Sequence, residues 1–286
     1  MIGTMRMGRW GNNMNSSEIE KFIEGCIAED LIDFDLADIY GSYTTEADFG
    51  AVLKNRSNLR NQIRITTKCG IKLVSENRPA HKIKSYNLTK DHIKGSVENS
   101  LLALNTDYID TLLLHRPDYL LDPYEIAEAF TALKKEGKIK YFGVSNFSVS
   151  QFELLQEIFP LYTHQVEVSL LHREAFKNGI LDQCLKLGIT LTAWSPFKGG
   201  ALLERSSMDR KIAEVQKVIK SLCEKYDAQP DQVILAWLRK HPVKIVPVLG
   251  TSKLSRIKNA KNSLKINFMH EDWYILWQAV TGKEIA

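Results

Sequence analysis

Four residue types at separated positions could together move a proton: Asp35, Tyr40, Lys68 and His115. A tyrosine phenol ordinarily ionises near pH ~10, too high to give or take a proton easily at neutral pH. A lysine ammonium about 4 Å away contributes up to about 4 kcal/mol at an effective dielectric of about 20, favouring the phenolate by as much as about three pH units. Asp35 would keep Lys68 charged and oriented, and His115 could donate a hydrogen bond to a carbonyl oxygen that is gaining negative charge. Such a set delivers a proton to a carbonyl oxygen, and the carbon must then receive a hydride from elsewhere. With no flavin or metal signature in the chain, a nicotinamide cofactor is the natural donor. The set is not a nucleophile triad, because no serine elbow or Cys–His pair accompanies it. Its histidine and carboxylates are too thinly spread for a metal cage, so no metal site is expected.

The elements that must position these residues are legible as alternating patterns. Short apolar or β-branched runs recur at Ile2–Met5, Leu31–Ala37, Ile63–Thr67, Ile109–Leu114, Ile139–Val144, His164–Val168, Ile189–Trp194 and Lys244–Leu249. Stretches with a 3.6-residue apolar period lie between them. Ser17 and Glu20 form a capping-box pattern before Ile19, Phe22, Ile23 and Cys26. Thr89 precedes a stripe of Ile93, Val97, Leu101 and Leu104, and Asp122-Pro123 opens another helix. Pro230 opens a further one, and Pro242 closes it. Strict strand–helix alternation implies a parallel sheet, and eight such units predict an α/β chain with a (β/α)8 TIM barrel as one domain over 1–286. An open doubly wound sheet would carry a glycine-rich first turn, which is missing.

Barrel enzymes work at the carboxyl ends of their strands. There the chain carries Asp35 to Tyr40, Thr67-Lys68, His115-Arg116, Ser145-Asn146, Gln165 and Glu167, Trp194-Ser195, and Gly250-Thr251-Ser252. The long connections Gly70–Leu88 and Ala201–Lys211 are expected to be functional loops. His81, His172 and Cys69 fall near such loops and read as structural, as does Asp38.

Composition excludes other classes. The 286 residues are 44% hydrophobic and 25% charged, values of an ordinary globule. No apolar run reaches the ~18 residues of a membrane span. The net charge of +4 is scattered rather than striped, so no nucleic-acid partner is expected. Four cysteines without a CxxC pair, and no secretory signal, point to reduced thiols and a cytoplasmic protein. A small-molecule carbonyl is the expected partner, with no obligate protein partner evident.

Four stretches in this order resemble the aldo-keto reductase family: Phe34 to Gly41, Thr66-Thr67-Lys68, Asp110 to Pro117, and Gly137 to Phe147. The likeness runs along essentially the whole chain, and is nearest to bacterial oxidoreductases beginning with a Gly-Thr-Met-Arg segment such as Gly3–Arg6. It implies Tyr40 as general acid, Lys68 and Asp35 as its tuning partners, and His115 as the carbonyl-orienting donor. Ser145, Asn146 and Gln165 would hold the nicotinamide carboxamide. Trp194 would stack on the ring, with Ser195 and Phe197 leading toward the pyrophosphate. Gly250, Thr251, Ser252, Lys253 and Arg256 would bind the adenosine 2′-phosphate, favouring NADPH/NADP+ over NADH. Thr4 and Met5 would approach the cofactor, and Trp10 would wall the substrate pocket with the Gly70–Leu88 loop, Trp273 and Trp277.

Two departures stand out. Asn259 and Ala260 replace a Glu-Asn pair common at the adenine, and the hairpin that often precedes the first strand is absent or reduced. The implied activity is NADPH-dependent reduction of aldehydes or ketones. Its rivals are an NADPH-binding sensor on the same scaffold, as in the potassium-channel β-subunits, and a metal-dependent sugar isomerase.

Overall fold

The computed structural model describes residues 1–203 and 209–285. Of the connection at Ala201–Lys211, residues 204–208 lie outside the described residues. The chain divides into two compact units, Met1–Gln165 with Gly250–Leu254, and Val166–Leu249 with Ser255–Ala286.

The first unit alternates strands and helices: β1 (Ile2–Gly3), α1 (Ser16–Ile27), β2 (Asp33–Asp35), α2 (Thr45–Asn55) and β3 (Arg64–Cys69). A two-stranded antiparallel hairpin follows, β4 (Ile71–Lys72) and β5 (Ser85–Tyr86). Then come α3 (Lys90–Leu104), β6 (Ile109–Leu114), α4 (Pro123–Lys135), β7 (Ile139–Ser145), α5 (Val149–Gln156) and β8 (Thr163–Glu167), which crosses the boundary at Gln165. Neighbouring strands pair in parallel in chain order, β1 with β2, β2 with β3, β3 with β6, β6 with β7 and β7 with β8. The registers Asp35↔Thr66 and Ser145↔Gln165 bring polar strand ends level with each other. The central strands β3 and β6 are buried almost throughout, even though β3 carries Thr66, Thr67 and Lys68 and β6 carries Asp110.

Helix starts follow local chemistry. Thr89 and Asp122 cap α3 and α4 through their side chains, as expected, and Pro123 occupies the first turn of α4. The capping box of α1, however, is made by Asn15 and Glu18 rather than Ser17 and Glu20. Asn15 has extended backbone and reaches the Glu18 amide, so the helix starts at Ser16, two residues earlier than a Ser17 cap would place it.

The second unit contains α6 (Ile180–Leu187), β9 (Thr190–Trp194), α7 (Arg210–Tyr226), α8 (Pro230–Lys240), β10 (Val246–Pro247), α9 (Leu254–Lys261, from its second residue on) and α10 (His270–Thr281). β9 and β10 pair in parallel. Trp237 of α8 stacks on Trp273 of α10 at 5.0 Å with an 8° interplanar angle, and each indole N–H donates to the other's backbone carbonyl at 3.1 Å. Trp277 joins that stack at 5.2 Å from Trp273, so these two tryptophans hold α10 to α8. No helix of the described residues is long and apolar enough to cross a membrane.

Candidate active site

Period-two alternation along β3 decides where Lys68 goes. Thr67 turns to the helix side, where its hydroxyl donates to Glu46 Oε1 of α2 at 2.5 Å, and Lys68 turns the other way. The buried Lys68 Nζ donates to Asp35 Oδ2 at 2.8 Å, to the Leu36 carbonyl at 2.7 Å and to the Tyr40 hydroxyl at 3.2 Å. Asp35, at the end of β2, also accepts from Gln165 Nε2 at 2.9 Å through its other oxygen. The His115 ring meets the Tyr40 ring edge-on at 6.1 Å. Asp35, Tyr40, Lys68 and His115, predicted together from positions 80 residues apart, are therefore brought together within the first unit, with Gln165 added to them.

Burial and charge set the protonation states. Burial opposes the Lys68 charge, but Asp35 and Tyr40 outweigh it and hold the ammonium above its ordinary value. Burial pushes the Tyr40 phenol up, and the opposing pull of Lys68 does not cancel it. This corrects the expectation of a phenol shifted down by its lysine: with water excluded, the desolvation of a phenolate is the larger effect. Tyr40 thus carries its proton at neutral pH, and Lys68 accepts none from it. Burial, followed by the charges of Lys68, Arg116 and Lys84, pushes His115 well below the usual imidazole range, so its ring is neutral. Burial and the neighbouring Glu46 push Asp38 well up, so Asp38 is a neutral acid beside the cluster.

The other predicted residues of this unit are equally specific in placement. Thr4 is fully buried, and both its amide and its hydroxyl donate to the Asp35 carbonyl at 3.0 Å. Met5 is exposed. Trp10 is exposed, with its ring 6.3 Å from that of Tyr40 and its indole N–H donating to Ser42 Oγ at 3.2 Å. Asn146, in left-handed backbone (φ 62°), donates through its side chain to Ser145 Oγ at 2.8 Å and to the His115 carbonyl at 3.3 Å. Its amide donates to the Gln165 carbonyl at 2.9 Å, which binds the ends of β7 and β8. Gly250 and Lys253 are exposed and Thr251 and Ser252 half-buried; Thr251 Oγ1 accepts the Lys253 amide at 3.2 Å.

In the second unit, Trp194 ends β9 and is half-buried, as are Ser195 and Phe197. Ser195, Lys198, Gly199 and Gly200 all have positive φ (54°, 46°, 72° and 101°), a backbone in which successive N–H groups can form an anion-binding concavity. Lys198 Nζ is 2.5 Å from Glu167 Oε1. Arg256 lies exposed on α9. Asn259 is engaged elsewhere: its side-chain N–H groups donate to both Asp231 oxygens at 2.8 and 2.9 Å, and its Oδ1 accepts from Gln232 at 2.8 Å.

Three neighbours escaped the sequence reading. Asn12 donates to the Ser252 hydroxyl, a partner 240 residues away that no local pattern announces. Glu46 is buried and accepts from Thr67 and from Ser100 at 2.9 Å. Tyr43 is set apart by its left-handed backbone and by its hydroxyl, which accepts the Leu73 amide.

Comparison with known proteins bears on all of this. The Aldo/keto reductase family model matches residues 1–280. An uncharacterized oxidoreductase, YcsN, of Bacillus subtilis is 43% identical over 286 residues, with 99% of this chain and 94% of that protein covered. A 6-dehydroglucose reductase of Agrobacterium fabrum is 40% identical over 284 residues, covering 98% and 94%. A crystal structure of a thermostable aldo-keto reductase in complex with the inhibitor epalrestat superposes with a TM-score of 0.81 at 25% identity, covering 97% of this chain and 93% of that one. The fold is the (β/α)8 barrel that the strand–helix alternation predicted. A match over nearly the whole length, by family model and by relatives alike, makes this chain a member of the aldo/keto reductase family of oxidoreductases.

Proposed function

We propose that this oxidoreductase reduces aldehydes or ketones with NADPH, and that Tyr40 supplies the proton. One observation carries the reading: a buried ammonium, Lys68, holds Asp35 at 2.8 Å on one side and the Tyr40 hydroxyl at 3.2 Å on the other. With Lys68 donating to its oxygen, the Tyr40 hydroxyl keeps its own proton to give away. As charge grows on a carbonyl oxygen, Tyr40 transfers that proton, and Lys68 stabilises the phenolate left behind. Neutral His115 donates an N–H to the same oxygen and adds no competing acid. Asp35, also held by Gln165, keeps Lys68 from drifting.

The residues present fit a nicotinamide cofactor, which when bound supplies the hydride to the carbonyl carbon. Ser145, Asn146 and Gln165 offer an amide and hydroxyl set suited to a carboxamide, with Thr4 and Met5 near the Asp35 strand end. Gly250, Thr251, Ser252 and Lys253 offer a hydroxyl-rich, cationic segment suited to a 2′-phosphate. In the second unit, Trp194, Ser195, Phe197 and Arg256 are cofactor candidates by family likeness, and the positive-φ residues Ser195, Lys198, Gly199 and Gly200 suit a pyrophosphate. Asn259, tied to Asp231 and Gln232, is left out of the adenine contacts.

Trp10 is assigned to the substrate wall. The name of the Agrobacterium relative suggests a sugar carrying an aldehyde at C6 as the first substrate class to try. Buried free thiols at Cys26, Cys69 and Cys184 fit a cytoplasmic location. The test is NADPH oxidation, followed by absorbance, with 6-dehydroglucose and a panel of aliphatic and aromatic carbonyls. Turnover abolished by Tyr40→Phe supports the reading, whereas turnover that survives this substitution refutes it.

A further inference from the structure

The backbone immediately after Tyr40 runs through three consecutive left-handed residues: Gly41 (φ 60°), Ser42 (φ 58°) and Tyr43 (φ 72°). Glycine adopts this region freely, but an aromatic residue there is a marked outlier that persists only where its surroundings over-determine it. The turn folds around the Tyr40 carbonyl, which accepts the amides of Thr44 at 3.1 Å and Thr45 at 3.2 Å. The orientation of the Tyr40 peptide is therefore set by this strained turn.

The loop that joins β4 to β5 holds the turn in place. The Leu73 amide donates to the Tyr43 hydroxyl at 2.7 Å, and that hydroxyl faces the Leu73 carbonyl at 3.3 Å, the Ile71 carbonyl at 3.5 Å and His81 Nδ1 at 3.4 Å. The Arg78 guanidinium lies 4.7 Å from the centre of the Tyr43 ring. The Ser42 carbonyl accepts from Asn77 Nδ2 at 2.9 Å and from Ser75 Oγ at 3.3 Å, while Trp10 donates to the Ser42 hydroxyl. Tyr40 and Tyr43 pack together with Leu73 and Tyr86 against Ala37, Ile39 and Ile71. These bonds converge on the two residues that follow the proton donor by two and three positions.

We propose that Tyr43 is a positioning residue for the reduction: its hydroxyl locks the β4–β5 loop onto the left-handed turn and so holds the Tyr40 hydroxyl on Lys68. This rests on the reading of Tyr40 as proton donor. Tyr43→Phe keeps the ring and removes the hydroxyl, leaving the Leu73 amide without its acceptor.

The experiment compares wild type, Tyr40→Phe and Tyr43→Phe as full-length proteins, measuring NADPH affinity, kcat against pH, and amide exchange. Tyr43→Phe is expected to lose at least tenfold in kcat with NADPH affinity unchanged within twofold. The basic limb of its pH profile should move to higher pH, because a Tyr40 hydroxyl drawn away from Lys68 ionises later; the other titratable groups around Tyr40 are Asp35, Asp38 and His115, and those facing Tyr43 are His81, Arg78 and Asp38. Exchange should quicken in peptides covering both Leu73 and Tyr40. Faster exchange at Leu73 with kcat and pH profile as in wild type overturns the inference and leaves Tyr43 a loop anchor. A wild type without Tyr40-dependent turnover overturns the reductase reading and this inference with it. Should Tyr43→Phe fail to fold, Asn77→Ala, an exposed side chain holding the Ser42 carbonyl, must show the same shift in smaller measure or the inference fails.

Discussion

Two clusters of the first unit use the same materials to opposite ends. At the amino end of β6, Asp110 accepts from Arg60 at 2.8 Å, from Lys140 at 3.0 Å and from the Ile65 amide at 3.0 Å. Arg60 spends its remaining donors on Thr106 Oγ1 and on the Ile63 and Tyr108 carbonyls, and its guanidinium covers the Tyr108 ring at 3.8 Å. At the carboxyl ends of β2 and β3, Lys68 and Asp35 are just as buried and just as closely paired, yet among the described residues the chain of donors ends on the Tyr40 hydroxyl. The first pair is tied to fixed backbone and side-chain partners, whereas on the proposed reading the second ends on a hydroxyl that can give up a proton. This is the division expected between the stability face and the working face of a barrel.

Substitutions can break that comparison in order of effect. Tyr40→Phe should lower turnover by about 10²- to 10⁴-fold, the usual worth of a general acid, while NADPH affinity and unfolding midpoint stay near wild type. Steady-state kinetics beside a titration of cofactor fluorescence would read both. At the closed cluster the pattern should invert. Asp110→Ala leaves the buried Arg60 charge unpaired and should cost about 3–5 kcal/mol of stability in denaturant unfolding. Its activity per folded molecule should be unchanged.

Acid sharpens the contrast. His115 is held neutral in the fold, so as pH falls through about 6.5 the unfolded chain gains a proton there that the folded chain refuses. Stability contributed at the site end therefore declines from about pH 6.5 downward. His164, pushed down to about 4 by burial, adds to the same window. Burial works against the Asp110 carboxylate, but its bonds from Ile65, Lys140 and Arg60 win and hold it below its ordinary value. Its contribution is lost only below about pH 4. Unfolding free energy measured from pH 7 to 4.5 should thus fall less steeply in His115→Asn than in wild type, and equally steeply in Asp110→Ala.

The smallest effect lies away from both clusters. Arg256→Ala, on an exposed side chain, should weaken NADPH roughly tenfold and NADH hardly at all, since an exposed charge-assisted bond to a phosphate is worth about 1–2 kcal/mol. Equal losses for the two cofactors in parallel binding titrations would remove the 2′-phosphate assignment.

Much of this was legible in the residues alone. Strand–helix alternation, Thr89 and Asp122 as caps, and four polar positions at strand ends are local patterns, and each was readable because its physics is local. What the sequence could not determine is everything that depends on water being excluded. Burial, not the nearby lysine, decides the net shift of the Tyr40 phenol, and burial is a property of the assembled fold. The same holds for Glu46 on Thr67 and Ser100, for Asn12 on Ser252, and for a left-handed Tyr43 held by a loop 30 residues on. The types and order of the candidate site residues are written in the chain; their protonation and their restraint arise only when distant segments meet and desolvate one another.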